Sequence, residues 1–347
     1  MLRNIKTASL RLFRGSGVLA RAESSRWRQR QLLILCYHGI SQHDEHHWRP
    51  RLYMAREQFD RRLQMLKHGG YAVLPLADAI CRLYAKDLPP KSVVLTFDDG
   101  CRDFYSQAYP RIRAAGFPVT VYQSTYYVER QWPVFNLICS YMLWKSRSRP
   151  LPSDSDLGLG GSMEIATEDG RRRVVQHLLH IAEQQKFTGE QKNQLAGKLA
   201  ALLGVDFQAL VTSRILHLMN PAEIGELAGD GVDFQLHTHR HCVPAERSLF
   251  QKEIRENRRL LQEITGLSAV HFCYPGGEPQ AHVLPWLAEE GVISATTCEP
   301  GLASVEDDRL LLPRFVDATP VAAIEFESWL SGIGGLISRA IRRGSRG

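Results

Sequence analysis

The sequence lacks a long uninterrupted apolar run. Nowhere in its 347 residues does it approach the roughly 18 to 20 consecutive apolar residues that a membrane-spanning helix needs. The N-terminal region has basic residues but not the apolar stretch of an export signal before its first predicted strand. These absences argue against a transmembrane or secreted chain, and we therefore expect a cytoplasmic protein.

Cysteine pairs at the close spacing of zinc or redox motifs are also missing. The seven cysteines are odd in number and scattered along the chain. Three of them, Cys36, Cys139 and Cys273, lie in apolar runs, where cysteine behaves as a small hydrophobic residue. This distribution is typical of a reducing compartment and argues against a disulfide framework.

Acidic residues are scarce at the two ends of the chain. The formal net charge is only +6, but basic residues dominate a tail over 1–31 and an amphipathic segment over 317–347. We expect an anionic partner surface, and a membrane is favoured because no aromatic-interleaved basic patch or nucleic-acid motif accompanies these residues. An ordinary surface helix is an equal alternative for the C-terminal segment. The basic residues are Arg3, Lys6, Arg11, Arg14, Arg21, Arg26, Arg28, Arg30, Arg339, Arg342, Arg343 and Arg346.

Strand-like and helix-like segments alternate through most of the chain, which predicts an α/β fold with parallel strands. The run SVVLTF is nearly all apolar or β-branched, as in a parallel strand buried on both faces. The alternation lapses over 131–219, where Ser-, Pro- and Gly-rich and charged helical segments predict an insertion. The predicted domain therefore occupies 32–130 and 220–316. Its predicted strands are 32–37, 71–76, 92–97, 118–124, 232–236, 269–274 and 309–316, and the predicted helices include 57–69, 76–85, 103–115, 168–186, 189–203, 249–265 and 280–290.

Chemically reactive residues directly follow three of the predicted strands. SVVLTF leads into Asp-Asp-Gly at 98–100, VDFQL leads into His-Thr-His-Arg-His at 237–241, and HFCY leads into Pro-Gly-Gly at 275–277. In barrel-like α/β folds the carboxyl ends of the strands meet around one opening. We therefore expect these three segments to form a single site.

The adjacent carboxylates of Asp98 and Asp99 call for a nearby cation, because like charges at close range raise one pKa unless they are neutralised. His237 and His241 are four residues apart and reach one point if their loop turns helically. One aspartate and two histidines would hold a divalent ion and leave positions open, as in a catalytic zinc site. Either motif alone is explained by a capping turn or a surface loop, but the two together are more specific.

The three segments resemble the motifs of the polysaccharide deacetylase family, also known as the NodB-homology family or carbohydrate esterase family 4. They are Thr-Phe-Asp-Asp-Gly at 96–100, His-Thr-His-Arg-His at 237–241 and Phe-Cys-Tyr-Pro-Gly-Gly at 272–277. The resemblance covers about 32–130 and 220–316, and it implies a distorted, partly open (β/α) barrel with a mostly helical insertion. The resemblance implies that Asp98 is the general base and that the metal ligands are Asp99, His237 and His241. It also implies that Thr238 braces the histidine loop. The residues implied to contact the substrate or its oxyanion are Tyr274, Pro275 and Gly276.

Two positions depart from the family pattern. The third motif usually carries an arginine that orients the base where this chain has Cys273, and an aromatic residue where it has Gly276. The backbone N–H of Gly276 can still stabilise an oxyanion, because that role needs no side chain. We expect Arg314, in the segment LLLPRF, to join the catalytic set by pairing with Asp98. A surface ion pair is the equal alternative for Arg314.

The family's C-terminal Leu-x-His, which supplies the catalytic acid, has no counterpart after residue 301. The first predicted strand instead ends in Tyr37-His38, which resembles the start of the subgroup that deacetylates poly-N-acetylglucosamine and related exopolysaccharides. In that subgroup the last strand of the family is moved to the front. The resemblance implies that His38 is the general acid, a task suited to imidazole near neutral pH. A buried, hydrogen-bonded histidine is the alternative.

The predicted function is metal-dependent removal of an N-acyl group, with acetyl favoured, from a sugar of a bacterial surface polysaccharide or its lipid-linked precursor. The expected cofactor is one divalent ion, with Zn²⁺ favoured over Co²⁺ or Ni²⁺. The expected partners are an N-acetylated glycan or polyprenyl-linked sugar and the anionic inner face of the membrane. Three alternatives remain open: an O-acetyl esterase or N-formyl hydrolase with the same site, a catalytically silent carbohydrate-binding member of the fold, and a membrane scaffold.

Overall fold

The computed structural model describes residues 2–130, 132–154 and 157–344, with side chains from residue 7 to residue 339. Strands and helices alternate along this part of the chain, as the sequence predicts, and the named strands pair in parallel. The strands are β1 (Leu33–Tyr37), β2 (Gly39–Ile40), β3 (Tyr53–Met54), β4 (Ala72–Val73), β5 (Ser92–Phe97), β6 (Thr120–Gln123), β7 (Asp233–Leu236), β8 (His271–Cys273), β9 (Ser294–Pro300) and β10 (Leu312–Val316).

Seven of these strands form a closed ring. Its order is β1-β10-β9-β8-β7-β6-β5, and β5 pairs in turn with β1. The ring is irregular where β7 and β8 share a single register pair, Leu236 with Phe272, and where the register between β9 and β10 shifts from Leu312 to Arg314. The predicted (β/α) barrel is thus confirmed, and the pairing of β1 with β5 closes it.

Helices surround the ring and connect its strands. A capping box precedes the helix that begins at Pro221: the Asn220 side chain accepts from the Glu223 N–H at 2.8 Å, and the Glu223 side chain accepts from the Asn220 N–H at 2.9 Å. A π-helical turn over Phe104–Ala108 leads into α7, and 3₁₀ turns lie at Pro275–Gly277 and Ala281–Val283. The helices are α1 (Leu2–Gly15), α2 (Val18–Glu23), α3 (Arg26–Gln29), α4 (Glu45–Trp48), α5 (Arg56–His68), α6 (Leu76–Ala85), α7 (Tyr109–Ala115), α8 (Phe135–Lys145), α9 (Glu168–Gln184), α10 (Gly189–Leu203), α11 (Phe207–Ser213), α12 (Pro221–Gly229), α13 (Arg247–Thr265), α14 (Leu284–Glu289), α15 (Ala323–Leu330) and α16 (Ile333–Gly344).

The two strands that close the ring are buried along their whole length. Every residue of β1 and of β5 is buried, since one face of each strand lines the barrel interior and the other is covered by helices. This double covering explains why LILCY and SVVLTF are nearly continuous apolar or β-branched runs. It also fixes the register that places Tyr37 beside Phe97 at the end of both strands.

The predicted insertion is mostly helical. Helices α8, α9, α10 and α11 lie within it, and their apolar side chains form a buried cluster separate from the barrel core. Trp48 and Tyr53, which precede α5 in the chain, join this cluster. The sequence did not predict α8, because FNLICSYMLWK has no polar face and therefore no helical period. The limits of 131–219 for the insertion stay a prediction.

The basic N-terminal region is helical and packs on the C-terminal helices. Leu10 of α1 and Leu19 of α2 form a small apolar cluster with Ile324 of α15. Arg14 adds an ion pair with Glu327 at 3.4 Å. The two basic ends of the chain therefore lie side by side.

No helix in the described ranges is both long and apolar enough to cross a membrane. The expected amphipathic segment over 317–347 is helical in α15 and α16. Residues 345–347, including Arg346, and the side chains of Arg342 and Arg343 lie outside what is described.

Candidate active site and metal centre

Five strands of the ring supply the predicted site. The loops that follow β5, β7 and β8 carry the aspartate pair, the histidine segment and the Pro-Gly-Gly turn. His38 follows β1 directly, and Arg314 lies within β10. Because parallel strands present their carboxyl ends to the same opening, these side chains converge, as the contacts below show.

The turn after β5 holds Asp98 in the interior and leaves Asp99 partly exposed. The Asp98 N–H donates to the Tyr37 carbonyl at 2.9 Å, which carries the β1–β5 pairing one residue further. Asp99 and Gly100 both have positive φ, at 70° and 77°. A Cβ on Gly100 would lie 1.9 Å from the amide oxygen of Gln123. Glycine is therefore required at this position, and the turn is fixed against β6.

The histidine segment is held in a tight loop. Thr238 and His241 have positive φ, at 60° and 54°, an unfavourable conformation for residues with a side chain that persists where the surroundings impose it. Thr238 Oγ1 accepts from the Cys242 N–H at 3.0 Å, the bracing contact predicted for this hydroxyl. His239 contacts Thr125 Oγ1 at 3.0 Å instead of joining the other two histidines.

Asp99, His237 and His241 present their ligand atoms to one point. Asp99 Oδ1 lies 3.3 Å from His237 Nε2 and 3.1 Å from His241 Nε2. All three ligand atoms lie within 4.8 Å of one another. His237 is buried, whereas Asp99 and His241 are accessible, at 28% and 47% of their side-chain surface. A substrate can therefore reach this group from one side.

The donor set fits a divalent cation. His237 Nδ1 is 2.9 Å from the Cys273 carbonyl, which can only accept, so Nδ1 carries the proton and Nε2 of the neutral ring has a lone pair. That lone pair faces an oxygen of Asp99, and two acceptors at this distance need a proton or a cation between them. Metal-binding histidines commonly donate their other ring N–H to a carbonyl in this way. One carboxylate with two imidazoles suits zinc and similar ions.

The electrostatics of the group agree with this fit. Burial alone would raise the pKa of Asp99, but when a proton lies between the carboxylate and the rings, the hydrogen bonds with His237 and His241 outweigh burial and lower the pKa well below its ordinary value. Burial would lower the pKa of His241, but its hydrogen bond with Asp99 and the Asp99 charge raise it. The site therefore keeps Asp99 charged and stabilises positive charge opposite it.

Arg314 holds the second carboxylate. Its Nη1 and Nη2 atoms donate to Asp98 Oδ1 and Oδ2, both at 2.7 Å, and Nη1 also donates to Thr96 Oγ1 at 3.1 Å. Burial would raise the pKa of Asp98, but the charge and hydrogen bonds of Arg314 hold that pKa well below its ordinary value. Asp98 is therefore ionised throughout the neutral range. The predicted pairing of Arg314 with Asp98 is present, and the surface ion pair is not, since Arg314 is fully buried.

Cysteine occupies the position where the family carries its arginine. Cys273 Sγ lies 3.4 Å from Asp98 Oδ2 and 3.0 Å from Arg314 Nη2. Its small side chain leaves the guanidinium room to enter from β10, two strands away in the ring. An arginine thus contacts Asp98, but it comes from a different strand.

His38 lies at the edge of the same site. Its Nε2 is 3.9 Å from Asp98 Oδ2, and its side chain is 19% exposed. The structure therefore places His38 next to the carboxylate pair and at the accessible surface, unlike a core histidine.

The turn after β8 separates its three predicted site residues. Gly276 is exposed, with a φ of 72°, and no described atom lies within 4 Å of the point where its side chain would begin. Pro275 is half-buried. Tyr274 is fully buried and its hydroxyl donates to the Leu310 carbonyl at 2.9 Å. The ring of Tyr274 packs in the core, which leaves only its backbone for a substrate or oxyanion contact, and that role stays a prediction.

Asn257 lies under the site and was not among the predicted residues. Its Oδ1 accepts from the His237 N–H at 2.9 Å, and its Nδ2 donates to the Gln123 carbonyl at 2.9 Å and to Thr125 Oγ1 at 3.0 Å. One fully buried side chain of α13 thus ties the ends of β6 and β7 together. The signal was a polar residue on the apolar stripe of α13, between Ile254 and Leu261.

The comparison with protein families agrees with the motifs. A family model described as polysaccharide deacetylase matches residues 85–141 and 201–293, which include the aspartate turn, the histidine loop and the turn at Gly276. The matched stretches together are under half of the chain, and over them it is similar to the polysaccharide deacetylase family. His38 and Arg314 lie outside both matched stretches, so their place in the site rests on the contacts above.

Curated proteins match short parts of this chain. The poly-beta-1,6-N-acetyl-D-glucosamine N-deacetylase of Escherichia coli (strain K12) is 30% identical over 95 residues, which are 26% of this chain and 14% of that protein. YxkH of Bacillus subtilis (strain 168) is 32% identical over 93 residues, which are 26% of this chain and 31% of that protein. The match thus spans less than a third of the length of either relative.

Solved structures share the fold over most of the chain. The Streptococcus pyogenes deacetylase PplD in complex with acetate has a TM-score of 0.55 at 20% identity, covering 87% of this chain and 97% of that one. IcaB from Ammonifex degensii has a TM-score of 0.54 at 16% identity, covering 88% and 97%. At these identities the likeness concerns the fold, and it confirms a barrel of the NodB type.

Proposed function

We propose that this chain is a metal-dependent carbohydrate de-N-acetylase, a hydrolase of carbon–nitrogen bonds outside peptides. The observation that carries the proposal is the convergence of Asp99, His237 and His241 beside an ionised Asp98 that Arg314 holds in place. A three-ligand group next to a separate buried base suits metal-assisted hydrolysis of an amide.

Asp99, His237 and His241 would hold the metal ion. When bound, a divalent ion there would polarise the amide carbonyl and lower the pKa of the attacking water. The protein fixes the donors beforehand: the Cys273 carbonyl sets the tautomer of His237, and Asn257 sets the backbone that carries it. Zn²⁺ is the favoured ion for this donor set, with Co²⁺ and Ni²⁺ as substitutes.

Asp98 acts as the general base in this proposal. Its carboxylate stays ionised because of Arg314, and it therefore has a free lone pair for the proton of the attacking water. Arg314 positions the base, since the two parallel hydrogen bonds allow the carboxylate one orientation. Its own high pKa keeps it from exchanging the proton.

His38 acts as the general acid, and Gly276 stabilises the developing oxyanion. His38 approaches Asp98 from the accessible side of the site, where it can protonate the departing amine. The exposed backbone at Gly276 has no side chain to obstruct the approach of the substrate carbonyl. Its N–H would serve as the donor for the oxyanion.

The proposed substrate is an N-acetylated sugar of a bacterial surface polysaccharide or its polyprenyl-linked precursor. The names of the relatives support this class: one acts on poly-beta-1,6-N-acetyl-D-glucosamine, and PplD was solved with acetate, the second product of such a reaction. The open space beside Gly276 supports a broad ligand, because a long glycan needs a site that is not enclosed.

We also propose that the chain lies peripherally on the inner face of the membrane. Helices α1 and α16 meet through the apolar cluster at Leu10, and each carries exposed apolar residues next to basic ones. Such a surface combines burial in the interface with attraction to anionic lipids. The exposed apolar residues are Leu12, Phe13 and Leu336.

The test uses the zinc-loaded chain with N-acetylated oligosaccharides, free and polyprenyl-linked. We expect acetate and free primary amine in equal amounts, and loss of both in the variants Asp98→Asn and Asp99→Ala. Acetate without amine would identify an O-acetyl esterase, and formate would identify an N-formyl hydrolase. Saturable glycan binding without any acyl release from the loaded protein would overturn the proposal in favour of a carbohydrate-binding protein.

A further inference from the structure

Three thiols from three strands surround the Asp98–Arg314 pair, and the proposed reaction uses none of their sulfur chemistry. They are Cys36 of β1, Cys273 of β8 and Cys298 of β9. Cys36 Sγ lies 3.4 Å from Asp98 Oδ2, and Cys298 Sγ lies 3.5 Å from Arg314 Nη2. Buried cysteine can fill space as a small hydrophobic residue, but here the three sulfurs also face one carboxylate and one guanidinium.

Two of the thiols form a ligand group with Asp98. The sulfurs of Cys36 and Cys298 and an oxygen of Asp98 lie within 4.8 Å of one another. This spacing suits an ion at the centre with sulfur bonds of about 2.3 Å and oxygen bonds of about 2.0–2.2 Å.

The group can be reached from the site. Cys36 and Asp98 are buried, but Cys298 is half-buried. Cys298 packs against Gly277, where an ideal Cβ would lie 2.4 Å from its sulfur, so the missing side chain of Gly277 makes room for the thiol. The neighbouring Gly276 leaves open space. An alternative group of Asp98, His237 and Cys273 is fully buried and uses a ligand of the first centre.

The surroundings favour a thiolate at Cys298, whereas burial raises the pKa of Cys36 well above its ordinary value. The groups that face Cys298 are Cys36, Arg314, Asp98 and His38. The hydrogen bond from Cys36 lowers the pKa of Cys298, burial opposes it, and Arg314 lowers it further, to about 6. A divalent ion there meets the carboxylate of Asp98 and the thiolate of Cys298, and Cys36 gives up its proton as the ion binds.

We propose that Cys36, Cys298 and Asp98 form a second metal site, selective for thiophilic divalent ions such as Zn²⁺, Co²⁺ and Cd²⁺. An ion bound there shares the carboxylate that serves as the base. Filling the second site therefore removes the base from the reaction, so that excess metal inhibits a chain that one equivalent activates. This last consequence rests on the proposed function, whereas the binding itself does not.

Cobalt distinguishes the two sites without any substrate. Thiolate bound to Co²⁺ gives a near-ultraviolet charge-transfer band, and a site of one carboxylate and two imidazoles gives none. We expect two equivalents of Co²⁺ per chain, with the band rising only as the second equivalent binds. Asp99→Ala should lose one equivalent and keep the band, whereas Cys298→Ser should lose one equivalent and the band together.

Matched controls separate the site from adventitious thiol binding. Cys81→Ser removes an exposed thiol on α6 and should change neither the stoichiometry nor the band. Cys298→Ala serves as a second variant if Cys298→Ser loses its far-ultraviolet circular dichroism. Absence of the band in the parent at saturating Co²⁺, or its persistence in both Cys298 variants, would overturn the proposal.

Inhibition gives a second readout. Zinc beyond one equivalent should lower hydrolysis at least tenfold in the parent and leave hydrolysis by Cys298→Ser unaffected by the excess. If the parent hydrolyses no N-acetylated sugar, the proposed function fails while the cobalt band still decides the second site. Equal inhibition of parent and variant would contradict the shared use of Asp98.

Discussion

Arg314 and Asp98 are 216 residues apart in sequence and meet through two parallel hydrogen bonds of 2.7 Å. Both side chains are buried. Removing one partner of such a pair leaves the other charge unpaired, which costs about 3–5 kcal/mol of folding free energy. The pair therefore contributes to the barrel as well as to the site, and experiments on it must measure both.

Replacing Arg314 should move the acid limb of the pH–activity profile. In Arg314→Met the guanidinium no longer lowers the pKa of Asp98, burial then dominates, and the pKa rises. A base with a raised pKa is protonated at mildly acidic pH, so the acid limb of kcat/KM should shift to higher pH by one unit or more. Arg314→Lys keeps the positive charge but cannot make the two parallel hydrogen bonds, so it should shift the acid limb less. An unchanged limb in folded Arg314→Met would show that Asp98 is not the titrating base.

Removing His38 should slow turnover without affecting metal binding. A general acid contributes about 10²–10⁴-fold to rate, so His38→Gln should lose that factor in kcat while its metal content stays at the parental value. His68→Gln changes an exposed histidine at the end of α5 and serves as the control. If His38→Gln kept the parental kcat, a group other than His38 would have to protonate the departing amine.

Metal binding can be tested before any substrate is known. Asp99→Ala and His237→Ala should each abolish the site that fills first, measured as metal per chain after dialysis against trace zinc. Trace zinc keeps any weaker thiol site empty, and His68→Ala should retain the parental content. A parent that binds no zinc, cobalt or nickel would remove the hydrolytic mechanism and favour a carbohydrate-binding protein.

Asn257 should influence the metal although it is not a ligand. Asn257→Ala leaves the His237 N–H and the Gln123 carbonyl without their partner, which costs about 1–3 kcal/mol of stability for each buried group. We also expect the zinc affinity to fall by about 10–100-fold, as for residues that orient ligands. Gln262→Ala, on the exposed face of the same helix, should change neither quantity. If Asn257→Ala lost stability but bound zinc with the parental affinity, the role of Asn257 would be structural only.

The basic ends should bind anionic vesicles. Sedimentation with phosphatidylglycerol vesicles should recover the chain, and vesicles of phosphatidylcholine alone should not. Arg11→Glu with Arg14→Glu should weaken binding, and so should added salt, because the attraction is electrostatic. Glu substitutions at Arg172 and Arg173 reverse the same charge in the insertion and provide the control. Equal binding to both lipids would exclude an electrostatic membrane contact.

The local sequence was sufficient to predict a site where reactive side chains directly follow a buried strand. The strands before Asp98 and His237 are short apolar or β-branched runs, and the polar residues that follow them are unusual enough to predict a site. The pairing of Arg314 with Asp98 was predicted from the family resemblance, because the usual arginine of the third motif is absent and Arg314 lies at the end of a late predicted strand. These inferences needed no knowledge of strand order.

Long-range pairing could not be predicted in this way. The strand Ser294–Pro300 was missed, because SATTCEP has small and polar residues where a buried strand usually has branched apolar ones. With that strand unseen, Cys298 had no predicted place beside Arg314. Closure of the ring depends on β1 pairing with β5 and β10, a relation between distant segments that leaves no periodic signal. Asn257 was hidden for the same reason, since its partners lie on two other strands.

The position of Arg314 on the final strand of the ring ties the site to complete synthesis and folding. During translation the Asp98 turn leaves the ribosome long before β10 exists, so a nascent chain holds an unpaired carboxylate until more than two hundred further residues have emerged. Contacts of such high sequence separation form late and slow the folding of a domain. A chain truncated before residue 314 therefore lacks an oriented base, so folding couples the onset of activity to the docking of the last strand.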